Sequence, residues 1–160
     1  MSVLTESGRI AIAAAIKEQS IHLAWGTGDV NWGDTPPVED VTATVLLAEV
    51  GRRHIFEKRF CSPDVNGEII VPTGRFTFSN NPTNNLYLSF KFDFDDGSDK
   101  VIRELGVISG SEIKSTVPAG QMYFLPADIE TAGILLLLEY TAPIHRNAAT
   151  RETFEFVITF

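Results

Sequence analysis

Two stretches of this chain alternate so regularly that an extended backbone is the only conformation that uses the pattern. Leu86, Leu88, Phe90, Phe92 and Phe94 fall on one side, and Tyr87, Ser89, Lys91 and Asp93 on the other. Phe154, Phe156, Ile158 and Phe160 repeat the pattern further on. Successive side chains of a strand point to opposite faces, so a period of two lays one apolar face against a core. Leaving the second set in water costs about 1.5–3 kcal/mol per side chain, so these residues are expected in a core or an interface. From His54 onward the whole chain reads as β. Further strand candidates are Ile55 to Cys61, Glu68 to Val71, Arg75 to Phe78, Val101 to Ser109, Met122 to Leu125 and Ile134 to Tyr140. Asp96-Gly97 marks a turn.

The front of the chain reads differently. Thr5 or Ser7 can cap a helix, Glu6 suits its positive end, and alanines and isoleucines run to Lys17. Ile21 to Trp25 is a short strand, followed by a turn-rich segment from Gly26 to Pro37. Val38 to Val50 predicts a second helix, with Glu39 and Asp40 in its first turn and Val41 and Val45 on one stripe. Gly51 would stop it, with Arg52 and Arg53 near its negative end. The expected fold class is α+β: two N-terminal helices followed by an antiparallel β-sheet or β-sandwich. A chain of 160 residues with no linker reads as one domain, 1–160, with a helical front to about residue 53 and a β-rich part from about 54.

Composition narrows the function. Thirteen Lys and Arg against twenty-one Asp and Glu give a net charge of −8. A phosphate backbone needs a basic face, so nucleic acid is not expected as a partner. A single cysteine, Cys61, forms no internal disulfide and no cysteine-built zinc site. No signal peptide opens the sequence, and no apolar run approaches the roughly 20 residues that span a membrane. A protein made in a reducing cytoplasm is expected.

No residue pattern carries chemistry. Gly26, Gly28 and Gly33 have neither dinucleotide nor P-loop spacing. Asp93, Asp95, Asp96 and Asp99 fail the ligand spacing of a calcium loop and read instead as a solvated acidic hairpin tip. His22, His54 and His145 lie in separate segments, and no nucleophile elbow is present. Neither a cofactor nor a metal is expected, and no catalytic residue is assigned. Trp25 and Trp32 flank the glycine-rich loop, either as an interface or sugar platform or as anchors to the core. Arg52, Arg53, Lys58 and Arg59 form the densest positive cluster, read either as local charge complement or as a docking patch for an acidic partner. The interface candidates are Trp25, Trp32, Arg52, Arg53, Arg59, Phe154, Phe156 and Phe160.

Four pieces in order carry a resemblance. Leu4-Thr5-Glu6-Ser7-Gly8 opens an alanine/isoleucine helix; Ile21 to Gly28 is a strand running into a glycine turn. Leu46, Glu49, Arg52 and Arg53 follow, then Ile102-Arg103-Glu104-Leu105-Gly106-Val107. The set resembles the fibre-attachment domain of tailed-bacteriophage tail-collar fibre proteins, over roughly two thirds of the chain. The long repetitive shaft usual in that family is replaced here by further strands. The resemblance implies a non-enzymatic structural component of a tail or baseplate, joining hub, wedge or fibre proteins through protein–protein interfaces. It implies a virion location after assembly in the host cytoplasm, and a symmetric homo-oligomer or multi-copy assembly. The alternative is a receptor- or carbohydrate-binding β module, with Trp25, Trp32 and Tyr87 as stacking platforms.

Overall fold

The computed structural model describes residues 1–160 and consists mainly of strands, twelve in three sheets, with one α-helix. The expected α+β class with two N-terminal helices is therefore corrected to a mostly β fold with a single helix, α1 (Glu6–Glu18). In chain order the strands are β1 (Ile21–Gly26), β2 (Glu49–His54), β3 (Glu57–Pro63), β4 (Ile69–Val71), β5 (Gly74–Phe78), β6 (Asn85–Phe92) and β7 (Val101–Ser109). Then come β8 (Glu112–Ile113), β9 (Tyr123–Phe124), β10 (Ile129–Thr131), β11 (Ile134–His145) and β12 (Glu152–Thr159).

The second helix predicted over Val38 to Val50 does not form, for reasons the residues supply. The Asp40 carboxylate accepts the Thr42 amide at 2.8 Å and its hydroxyl at 2.7 Å, closing a local turn that competes with helix. Val38, Val41, Thr42, Thr44 and Val45 are β-branched and lose side-chain freedom in a helix. The amides of Leu47 and Ala48 donate instead to the Glu104 carboxylate, at 2.9 and 2.7 Å. Glu49 to His54, placed at the supposed helix end, is strand β2, paired antiparallel with β1. Gly51 stops nothing: it lies inside β2, where a Cβ would collide with the Tyr123 ring.

The chain forms two compact units. The first takes Met1–Gln19, Ile55–Phe90 and Thr153–Phe160. The Thr5 hydroxyl caps α1 by accepting the Gly8 amide at 3.2 Å. Only Ala13 of this helix is buried. The sheet here has the order β12-β6-β3-β5-β4. Cys61, Ile69, Val71, Phe76, Tyr87 and Val157 make its core. The alternating strand β6 is buried on both faces from Asn85 to Phe90, because Tyr87 and Ser89 are covered along with Leu86 and Leu88; Lys91 beyond them is exposed. The Tyr87 hydroxyl keeps a partner there by donating to Glu155 at 2.7 Å.

The second unit takes Ser20–His54 and Lys91–Glu152. Its main sheet has the order β11-β7-β1-β2-β9, and a two-stranded sheet pairs β10 with β8. All six residues of β1 are buried, as expected for a strand with neighbours on both edges. Trp25 stacks on Phe92 with ring centres 3.6 Å apart, and its indole N–H donates to the Tyr123 hydroxyl at 2.9 Å. Gly97 turns against the same indole with φ +58°; a Cβ there would sit 2.9 Å from the ring. No helix is long and apolar enough to cross a membrane.

Candidate protein–protein interface

The motif strand β7 does not present a site; it builds one on neighbouring segments. Ile102 is fully buried. The Arg103 guanidinium donates to the Thr27 carbonyl at 3.1 Å. Glu104, fully buried, takes the two amides of Leu47 and Ala48. A buried carboxylate is tolerated only when hydrogen-bonded, and these donors supply the bonds. Gly26 makes the arrangement possible, since a Cβ there would overlap the Glu104 carboxylate. Gly106 does the same for packing: a Cβ would meet Leu135 at 2.8 Å and Leu46 at 3.2 Å. Leu46 instead packs with Ala24, Ile108, Leu135 and Leu138. Both ends of the 27–48 segment are thereby tied to the sheet.

Between those ties the segment stands beside β11. Trp32 lies against Tyr140, ring centres 4.4 Å apart, over Gly28 with its φ of +56°. Glu39 reaches the sheet edge and accepts the Tyr140 amide at 3.0 Å. Glu39, Asp40, Val41 and Ala43 with Leu135 to Leu138 line an open cleft of about 190 Å³. Its apolar lining includes Val41, which is 98% exposed. Its polar rim is acidic. Burial and the nearby charge of Glu39 both push Glu139 above its ordinary carboxylate value. Hydrogen bonds from Thr42 hold Asp40 below its own.

The structure separates the residues singled out from the sequence. Trp25 and Arg52 are buried; Arg52 pairs with Glu49 at 2.6 Å and donates to Ser111 at 2.8 Å. Arg53 is half-buried and pairs with Asp96 at 3.1 Å. Arg59 lies over the Phe78 ring at 4.0 Å, and Lys58 donates to the Gln19 carbonyl at 2.8 Å. Phe156 is buried, while Phe154, Phe160 and Trp32 are half-buried. The acidic turn is occupied from within: Asp93 pairs with Arg151 at 2.9 Å and Asp96 with Arg53. No group of three or more His, Cys, Asp or Glu side chains is arranged to hold a metal ion. Burial raises the Cys61 thiol to about 11 and lowers His22 to about 4, so neither has the character of a reactive group at neutral pH.

Sequence reasoning missed Glu139 and the cleft. Glu39 and Asp40 were legible only as first-turn acids of a helix. Nothing local signals that Glu39 meets a residue about one hundred positions away.

Comparison with curated proteins returned no match. The family described as "Baseplate wedge 3 tail fiber network component" matches over residues 1–160. The chain belongs to that family and is a structural component of a phage tail and baseplate.

Proposed function

From membership of a baseplate wedge family we propose that this chain joins wedge and fibre proteins through protein–protein interfaces, in several copies per particle, after assembly in the host cytoplasm. The observation that carries the reading is the match over residues 1–160. The surface supports it. Val38, Val41, Val45 and Leu47 on one segment are largely exposed, as is Ile134 at the start of β11; Ile12 on α1 is partly exposed. Large apolar side chains grouped along one exposed segment mark surfaces that find partners. Helix α1 adds to this, since with one buried residue it is held by little of its own unit.

The kinship with tail-collar fibres is the finer part of the reading and rests on the four motifs. Glu104 and Gly106 give the last of them a packing role, as hydrogen-bond acceptor and as a site of close approach. A carbohydrate-binding role rests on Trp32, since Trp25 and Tyr87 are buried. Mass spectrometry of purified particles with chemical cross-linking tests the proposal. Cross-links from this chain to wedge or fibre proteins are expected. Absence of the chain from the particle would overturn it.

A further inference from the structure

Strand β11 is an edge of its sheet, and its two halves are finished differently. The later half is closed. The Glu39 carboxylate occupies the Tyr140 amide, where a neighbouring strand's carbonyl would lie. Pro143 has no amide to offer and falls where the register with β7 shifts, between Tyr140 and Ile144. The earlier half, Ile134 to Leu138, carries five aliphatic residues in a row, with neither charge nor proline. Natural edges are blunted by charge, proline, cover or a bulge; this half carries no charge and no proline, and its one irregularity is the shift of register between Leu135 and Leu137.

Leu138, Glu139 and Tyr140 pair in unbroken register with Gly106, Leu105 and Glu104. The Leu138 amide therefore points the same way as that of Tyr140, outward from β7 into the cleft. An extended segment laid in the cleft would meet that amide, the leucine side chains and the exposed Val41.

The charges select the occupant. Glu39, Asp40 and Glu139 stand at this edge, and none of them forms an ion pair within the chain. The effect of neighbouring carboxylates is felt at Tyr140, whose hydroxyl is raised by burial and by the charges of Glu104, Asp40 and Glu39. A second copy of this chain cannot neutralise them by edge pairing. Its other edge strands, β4, β8, β9, β10 and β12, contain no Lys or Arg, and neither does β11.

The geometry points to β11 as the acceptor of an added strand: an extended segment of a different protein, alternating apolar and basic residues, pairs along Leu137 to Glu139, past the shift of register at Leu135. Main-chain hydrogen bonds would give the affinity, and lysine or arginine against the acidic rim the choice of partner. This rests on the joining role proposed above and names the chemistry of one joint.

The test uses the full chain and synthetic eight-residue peptides. One alternates valine and lysine, one replaces lysine by glutamate, and one keeps lysine but carries N-methyl groups on alternate amides. Binding is read by fluorescence anisotropy and by amide chemical shifts of the isotope-labelled chain. The lysine peptide is expected to bind at least ~10-fold tighter than either control, to weaken with salt, and to shift Leu136 to Glu139. Asp40→Lys should weaken it ~3-fold or more with the fold intact, as judged by unchanged amide dispersion. Equal binding of the glutamate or N-methyl peptide, shifts confined to other strands, or self-association along β11 would each overturn the inference. Particle cross-links to wedge or fibre proteins without peptide binding would leave the joining role standing and remove only this joint. Peptide binding by a chain absent from the particle would do the reverse.

Discussion

Two acidic regions of the same unit handle their charge in opposite ways. In the turn from Asp93 to Asp99, the carboxylates of Asp93 and Asp96 meet Arg151 and Arg53. Beneath them Arg146 is buried, donating to the Asp93 carbonyl at 2.8 Å and to the Thr150 carbonyl at 3.1 Å, with Glu152 at 3.5 Å. At the β11 edge, Glu39 accepts an amide, Asp40 an amide and a hydroxyl, and Glu139 lies within reach of the Glu39 charge. The first region is a finished piece of structure, neutralised and tied down. The second keeps its charge facing outward beside apolar surface. Residue type does not distinguish them, since both gather Asp and Glu in a chain of net charge −8; the arginines brought from elsewhere do.

The largest expected effect comes from breaking the finished region. Arg146→Met strands the carbonyls it serves and leaves Glu152 without its cation, at a cost of about 3–5 kcal/mol. Thermal unfolding should fall by about 10 °C, at roughly 2–4 °C per kcal/mol for a chain of this size. A loss under ~1 kcal/mol would mean that the turn holds itself.

The next effect must be separated out before any acid titration compares the two regions. His22 is buried against His54 and Phe124, with neither ring nitrogen hydrogen-bonded. Burial first, then His54 and Arg52, lower it from 6.5 to about 4. The unfolded chain therefore takes up this proton before the folded one does. Stability is whole above pH 6.5 and falls by about 3 kcal/mol on the way down to pH 4. Urea midpoints against pH should show this limb, and His22→Phe should flatten it.

With that accounted for, the same chemical change should have opposite signs in the two regions. Asp96→Asn weakens the contacts to Arg53 and to the Asp93 amide, and should cost about 1–3 kcal/mol. Glu139→Gln removes a half-buried carboxylate from beside Glu39, and should stabilise by about 0.5 kcal/mol at neutral pH. Denaturation of both variants at pH 7 decides it; equal signs would erase the contrast.

The smallest effect is the most local. Arg151→Ala should leave stability nearly unchanged, since the pair is largely exposed. Its mark is on titration. Asp93 lies below its ordinary value through the Phe94 amide and then Arg151, so losing Arg151 should move it upward. Glu39→Gln should move Glu139 downward. Carboxyl NMR titration reads both.

Much of this frame was legible in the residues. Strand β7 runs over Val101–Ser109 as the apolar run predicts, and Thr5 caps α1. Period two located β6, but could not say that its polar-looking face, with Tyr87 and Ser89, is covered as well. Strands of two or three residues such as β8 and β10 carry too little pattern to see. The helix expected over Val38 to Val50 does not form because its periodicity has competitors, the Asp40 turn and the pull of Glu104. The acidic rim was illegible for a plainer reason. It joins Glu39 to Glu139, and they meet only because the 27–48 segment lies beside β11, where Glu39 accepts the Tyr140 amide.

One consequence follows from the way the first unit is assembled from separated segments. Its sheet closes when β12 pairs with β6, and the Phe160 amide then reaches the Asn84 carbonyl at 2.9 Å. On the ribosome, β6 emerges well before its partner. At roughly 5–20 residues per second, Leu86, Leu88 and Phe90 wait on the order of ten seconds beside an unfilled edge. Ser20–His54 and Lys91–Glu152 have by then all been translated, so the nested unit can mature first. A transcript cut short before Glu152 would leave β6 paired with β3 alone and its other edge permanently open, and its product should go to inclusion bodies or to proteases.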